Sequence, residues 1–190
     1  MNDVTLWYQN INASSHCDWR QKVQHFKLEV LQHQIQRDDS IILKTSLGKP
    51  YLDPSYNTDQ WHFSLSHSRH MVAMAWARNK EIGLDIEHLD RNISTAVINR
   101  MFHPDEIHWL KQHNNLPQAL QFWTAKEALA KATGLGGYRS FKQLPLSVPL
   151  SSNKLIAPKP WKLHYLEQNK HAIHIAHSFL SININLNILT

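Results

Sequence analysis

Residues 82–87 read Ile-Gly-Leu-Asp-Ile-Glu, with apolar side chains at 82, 84 and 86 alternating with Gly83, Asp85 and Glu87. A period of two is the mark of a strand, and it sends both carboxylates to one face, two residues apart. Toward the N-terminus, the apolar runs Trp61 to Ser66 and Met71 to Ala77 are divided from it and from each other by polar turns such as Arg78-Asn79-Lys80. Together the three runs predict strands of one sheet. Lys49-Pro50, Asp53-Pro54 and the polar stretch to Gln60 predict a loop. Residues 16–36 place Val23, Phe26, Val30, Leu31 and Ile35 at near-helical spacing without Gly or Pro, which predicts a helix.

Toward the C-terminus, residues 94–112 predict helix interrupted near Phe102-His103-Pro104, with Pro104 suited to a first turn and Asp105 and Glu106 to its positive end. Leu116-Pro117 opens a further helix that runs to Thr133 and stops at Gly134, a C-terminal cap. After the Gly134–Gly137 turn and a Pro/Ser-rich stretch, segments around 161–166 and 172–177 read as strands. The tail alternates strictly, Ile182, Ile184, Leu186 and Ile188 against Asn183, Asn185 and Asn187.

The 190 residues contain 42% hydrophobic and 18% charged residues, enough to bury a core and too little charge for a disordered polyelectrolyte. The longest purely apolar run, Met71 to Ala77, falls far short of the roughly 20 residues that span a bilayer. The start, MNDVTLWYQN, lacks a basic and then apolar leader, so a cytosolic address is expected. A single cysteine, Cys17, excludes intrachain disulfides and multi-cysteine zinc sites. Charge is uneven: residues 1–90 carry 9 Lys+Arg and 11 Asp+Glu, net −2, whereas residues 91–190 carry 11 and 4, net +7. A basic half steers an anionic partner, whether nucleic acid, phosphorylated cofactor or acidic protein.

Four segments have residue types suited to chemistry. Asp85 and Glu87 can grip one Mg²⁺ that keeps waters and phosphate oxygens in its other positions, or can simply line a solvated strand face. Glu127 and Lys131 fall one helical turn apart, as an exposed ion pair or as partners in a site. Ser64-Leu65-Ser66-His67-Ser68 ends a strand and offers hydroxyls and an imidazole to phosphate oxygens, or a capped turn. No G-x-S-x-G elbow supports a serine hydrolase. His171, His174 and His177 repeat every third residue, which in a strand turns His174 away from the other two and spoils a zinc site.

Taken in order, G-K-P at 48–50, F-S-L-S-H-S at 63–68, I-G-L-D-I-E at 82–87 and W-T-A-K-E-A-L-A-K at 123–131 resemble the 4′-phosphopantetheinyl transferase superfamily, and most closely its two-lobed, surfactin-type branch. The resemblance covers roughly Gly48 to Ser147. It implies an α+β fold of two similar α/β lobes related by pseudo-twofold symmetry, with residues 1–90 as the N-terminal lobe, including the Asp-x-Glu strand, and residues 91–190 as the C-terminal lobe. It implies coenzyme A in the cleft between them. Asp85, Glu87 and Glu127 match the family's magnesium-binding carboxylates, and Lys131 matches its lysine near the diphosphate, which with Glu127 forms the catalytic pair. Ser66 and His67 match the coenzyme A phosphate-binding turn, Lys49 and Pro50 a nucleotide-side contact, and Lys126, inside the motif, is placed with the coenzyme A contacts.

The implied reaction moves the 4′-phosphopantetheine arm of coenzyme A to a serine of an apo acyl or peptidyl carrier protein, releases 3′,5′-ADP and requires Mg²⁺. Glu127 or a metal-bound water is the base. An acidic carrier protein suits the basic second half, and the two-lobed likeness implies a monomer. Against the resemblance, the family's basic N-terminal segment is expected to be shortened, with Arg20, Lys22 and Lys27 expected to stand in for it at the coenzyme A 3′-phosphate. The alternatives are a protein of the same fold that binds carrier protein or coenzyme A without catalysis, and a basic nucleic-acid-binding module.

Overall fold

A computed structural model describes residues 2–113, 116–135, 138–148 and 154–189. In chain order the elements are β1 (Asn2–Asn10), α1 (His16–Ile35), β2 (Ile42–Lys44), β3 (Pro50–Leu52), β4 (Trp61–Ser68), β5 (Met71–Arg78), β6 (Ile82–His88), α2 (Thr95–Met101), α3 (Pro104–Gln112), α4 (Leu116–Thr133), β7 (Lys162–Gln168), β8 (His171–His177) and β9 (Ile182–Ile188). The content is mixed, helices packed on mostly antiparallel sheets, in agreement with the expected α+β class.

Local chemistry sets the helix ends. The Ser15 hydroxyl accepts from Asp18 N at the start of α1. His103 caps α3 in a reciprocal box with Glu106, and Pro104 occupies the first turn. Gly134 follows α4 with φ +69°, and its N–H reaches the Ala130 carbonyl. The break expected near 102–104 separates α2 from α3. Gly136, Gly137 and residues 149–153 of the expected turn and Pro/Ser-rich stretch lie outside the described residues.

Two sheets organise the chain. The first has strand order β4-β5-β1-β9 and the second β6-β8-β7. The predicted single sheet of β4, β5 and β6 is therefore corrected: β6 pairs antiparallel with β8 and belongs to the second sheet. The Asp-x-Glu strand, expected with residues 1–90, pairs with the C-terminal elements, while β9 returns to run parallel to β1 in the first sheet. Hydrophobic alternation names the faces of a strand but not its hydrogen-bonded neighbour, and β6 lies next to β5 in sequence while pairing with the distant β8. β1 and the β2–β3 hairpin were not expected from the sequence.

The same topology occurs twice. β1, α1, β4 and β5 form a strand, a helix and a hairpin, with β5 between β4 and β1. β6, α4, β7 and β8 repeat this, with β8 between β7 and β6.

Packing follows the alternation. Val72, Met74 and Trp76 of β5 face Phe26, Val30 and Leu31 of α1, while Met71, Ala73, Ala75 and Ala77 face Ile82, Leu84 and Ile86 of β6 and Ile173 and Ile175 of β8. On the far side, Ala172 and Ala176 pack with Ala125, Ala128 and Ala132 of α4. The layers run helix, sheet, sheet, helix, so β5 and β8 are buried on both faces. This explains the seven-residue apolar run at 71–77 without a membrane; among the described residues no helix is long and apolar enough to cross one.

Candidate active-site cleft

Helix α4 is brought onto β6 by the absence of a side chain. A Cβ at Gly83 would lie 1.9 Å from the Ala128 carbonyl oxygen and 2.5 Å from Ala132 N. Only glycine permits this approach. It puts Glu127 and Lys131 of α4 on the β6 face that carries Asp85 and Glu87.

The cleft has a volume of about 260 Å³ and draws on three places in the sequence. Gly48, Lys49 and Pro50 come from the β2–β3 hairpin, Phe63, Ser64 and Leu65 from β4, and Glu127, Ala130, Lys131 and Gly134 from the end of α4. Asp85 lies behind them, buried. Lys131 Nζ donates to Asp85 Oδ1 at 2.8 Å and to Ser66 Oγ and the Leu84 carbonyl at 3.0 Å. Asp85 Oδ2 is buried without a hydrogen-bond partner. Burial and the Asp85 charge push Glu127 up to about 7, against the opposing pull of Lys131 and Arg91.

Ser66 and Ser68 are buried rather than displayed to a ligand. The Ser66 hydroxyl donates to Asp85 Oδ1 at 2.8 Å and accepts from Ile86 N at 3.3 Å and from Lys131. A hydroxyl has one proton and two lone pairs, and all three are used here by protein groups. With no ligand bound, the Ser66 hydroxyl, expected at the coenzyme A phosphates, is thus engaged by protein groups alone. Ser68 donates to Glu87 Oε2 at 2.8 Å and accepts from His88 N at 3.2 Å. Ser64 accepts from Leu84 N at 2.9 Å. The other Glu87 oxygen is paired with Arg91, whose guanidinium also sits 5.1 Å from the Trp123 ring centre.

The remaining expected residues separate. His67 sits beside Trp19, with ring centres 6.0 Å apart, open to solvent on one side; desolvation by the packed protein on the other, followed by the Lys131 charge, lowers its pKa. Lys49 lines the cleft but is tied to Glu81 and, at 2.8 Å, to the Ala132 carbonyl. His62 and Lys49 hold Glu81 down to about 2. Pro50 lines the same wall. Arg20 lies on the exposed surface of α1 and is not a cleft-lining residue. Lys126 is a correction: it points to the opposite side of α4, fully buried, with Nζ 2.6 Å from Glu106 Oε1 and 3.0 Å from the Leu144 carbonyl. Residues 126 and 127 are about 100° apart on a helix, so adjacent charges in the motif face different environments.

Gly83 and Arg91 have no role in the sequence reading, and Ser64 and Ser68, offered there to phosphate oxygens, instead serve the N–H groups of β6. A signal was present for the serines: 64, 66 and 68 share the period of 84, 86 and 88 at a constant offset of 20. Arg91 follows Glu87 by four residues but in a turn rather than a helix, so spacing alone gave no pairing.

Residues 81–177, which include Asp85, Glu87, Glu127 and Lys131, match the family model of the 4′-phosphopantetheinyl transferase superfamily. The chain belongs to this superfamily. Among its superfamily relatives, the 4′-phosphopantetheinyl transferase Gsp of Aneurinibacillus migulanus is 30% identical over 119 residues, covering 61% of this chain and 46% of its own length. The 4′-phosphopantetheinyl transferase HetI of a Nostoc species is 30% identical over 126 residues, covering 62% and 52%. The chain spans about half the length of the curated relatives it matches.

Proposed function

We propose that this chain transfers the 4′-phosphopantetheine arm of coenzyme A to a serine hydroxyl of an apo acyl or peptidyl carrier protein, releasing 3′,5′-ADP. The observation that carries the reading is the cleft: within the family-matched segment, Glu127 and Lys131 of α4 stand over the buried Asp85 of β6. The two β-α-β-β units are the proposed pseudo-twofold lobes, and coenzyme A lies between the hairpin 48–50, β4 and α4.

In the reaction the serine oxygen bonds to the phosphorus next to the pantetheine, the bond from that phosphorus to the bridging diphosphate oxygen breaks, and the serine proton passes to a base. Glu127, a carboxylate at the cleft wall whose pKa is pushed up to about 7 with no cation bound, is the candidate base. Lys131 contributes positive charge at the cleft wall where the leaving oxygen becomes negative. Its three N–H groups are engaged by protein oxygens, so its work is electrostatic and orienting unless one of them is released.

The superfamily implies a divalent cation, and the donors fit one. Asp85 has a buried, unpartnered oxygen, and Asp85 and Glu127 repel each other in the same small space. Among the described residues no three such side chains already form a cage, and Glu87 is held by Ser68 and Arg91. Asp85 and Glu127, with Glu87 beside them, would hold Mg²⁺. When bound it neutralises and orients the diphosphate. The carrier protein is acidic, drawn to the basic residues 91–190, and the enzyme acts as a cytosolic monomer.

The test is intact-mass analysis of a panel of apo carrier proteins incubated with this chain, coenzyme A and Mg²⁺, with an EDTA control. A metal-dependent gain of one phosphopantetheine arm on a carrier, lost in Glu127→Gln, is the expected result. Coenzyme A binding without transfer to any carrier would replace this reading by the non-catalytic one.

A further inference from the structure

β6 is an edge strand of the second sheet, and its outward N–H groups have no backbone partner in a neighbouring strand. An edge left without a strand partner must be covered or satisfied. Here Ser64, Ser66 and Ser68, on one face of β4, accept from the N–H groups of Leu84, Ile86 and His88 in strict register. Side-chain hydroxyls thus replace a backbone ladder between the two sheets.

The three serines are not equivalent. Ser64 stands nearest Gly83, which offers no side-chain acceptor. Ser66 and Ser68 have carboxylates one residue before their N–H donors, and each sends its own proton there, Ser66 to Asp85 Oδ1 and Ser68 to Glu87 Oε2, both at 2.8 Å. Accepting the strand N–H fixes the lone pairs, which aims the hydroxyl proton at the carboxylate. In Asp85 this sorts the two oxygens: Oδ1 is taken by Ser66 and Lys131, and Oδ2 is left unpartnered.

We propose that Ser66 and Ser68 are positioning residues for a divalent cation site, Ser66 orienting the donor Asp85 and Ser68, with Arg91, fixing Glu87 beside it, whereas Ser64 only seals the sheet edge. This rests on the reading of Asp85, Glu87 and Glu127 as cation donors. Partners that orient metal ligands typically change metal affinity by 10- to 100-fold when removed.

The experiment measures Mn²⁺ affinity by isothermal titration calorimetry, with and without coenzyme A, together with thermal melting, for the wild-type chain and for Ser64→Ala, Ser66→Ala, Ser68→Ala and Ser68→Thr. The expected result is a roughly 10-fold rise in Mn²⁺ Kd for Ser66→Ala and Ser68→Ala. Ser64→Ala lowers the melting temperature without a change in Kd, and Ser68→Thr, which keeps the hydroxyl, retains wild-type affinity. If Ser66→Ala fails to fold, the Ser68 pair of variants carries the comparison. Equal Kd values in wild type and both alanine variants would overturn the proposal, as would an equal loss in Ser64→Ala, since the serines would then be edge caps alone. A wild-type chain that transfers phosphopantetheine while the serine variants keep its Mn²⁺ affinity overturns only this inference. A wild-type chain that neither transfers nor binds Mn²⁺ removes the transferase reading and this inference together.

Discussion

Lys131 Nζ and Asp85 Oδ1 lie 2.8 Å apart across the junction of α4 and β6, and this bond ties the helix that lines the cleft to the strand behind it. Lys131→Met leaves Asp85 with one charged partner fewer and frees the Leu84 carbonyl. The expected cost is on the order of 1–3 kcal/mol of stability, measured by urea unfolding. Phosphopantetheine transfer falls by at least about 100-fold, the scale of losing one electrostatic stabiliser. Transfer at the wild-type rate would remove Lys131 from the site.

Gly83→Ala places a methyl within 1.9 Å of a backbone oxygen of α4, a contact that only movement of the helix relieves. Overpacking of this kind costs about 1–3 kcal/mol, occasionally more. Because α4 carries Glu127 and Lys131, transfer drops along with stability. A variant as active and as stable as wild type would show that helix and strand are not held at this separation.

The Lys126–Glu106 pair is fully buried and serves the fold. Glu106 also accepts from Leu146 N at 2.7 Å and from His103 N at 2.8 Å, so the pair joins α3, α4 and the segment at 144–146. Removing one partner from a buried pair typically costs about 3–5 kcal/mol. Lys126→Met is therefore expected to lower the urea midpoint sharply, while coenzyme A affinity of the fraction that remains folded is unchanged. A variant of normal stability with weakened coenzyme A binding would return Lys126 to the ligand contacts.

Acid lability has an assigned source. Burial, reinforced by neighbouring basic groups, holds His174 near 3 and His177 near 4, well below the ordinary 6.5. The folded chain then binds fewer protons than the unfolded chain. The contribution is complete above about 6.5 and is lost as pH falls toward those folded-state values, by about 1.4 kcal/mol per pH unit for each histidine. Glu127 has the opposite sign: raised to about 7, it favours the folded state at low pH and loses that contribution as pH rises from 4.5 to 7. Urea unfolding between pH 7 and 5 is expected to show falling stability on acidification, with a shallower slope in His177→Gln. An unchanged slope in that variant would assign the effect elsewhere.

Much of the secondary structure was legible because the sequence is locally consistent. Pro104 and Asp105-Glu106 marked the start of α3, Gly134 the end of α4, and the Ile/Asn alternation β9. The pairing of strands was not legible. β4, β5 and β6 follow one another closely in the chain, yet the sheets divide between β5 and β6. β1 escaped notice because its Val4, Leu6 and Tyr8 are interleaved with Thr5 and Trp7 in a short stretch, and its partners β5 and β9 lie far along the chain.

Sequence alone determined the residue types at the site, their order and their local periodicity: carboxylates at 85 and 87 on one strand face, and Glu127 and Lys131 one helical turn apart. Those are properties of chain geometry, fixed by a period of two or of 3.6 residues. Tertiary structure decided which groups meet. It turned Lys126 into the core, engaged Ser66 with Asp85 and Lys131, paired Glu87 with Arg91 and raised Glu127 to about 7. Each of these depends on burial and on a partner supplied by another element, such as Lys131 to Ser66 across a sequence separation of 65, and local periodicity does not encode such contacts.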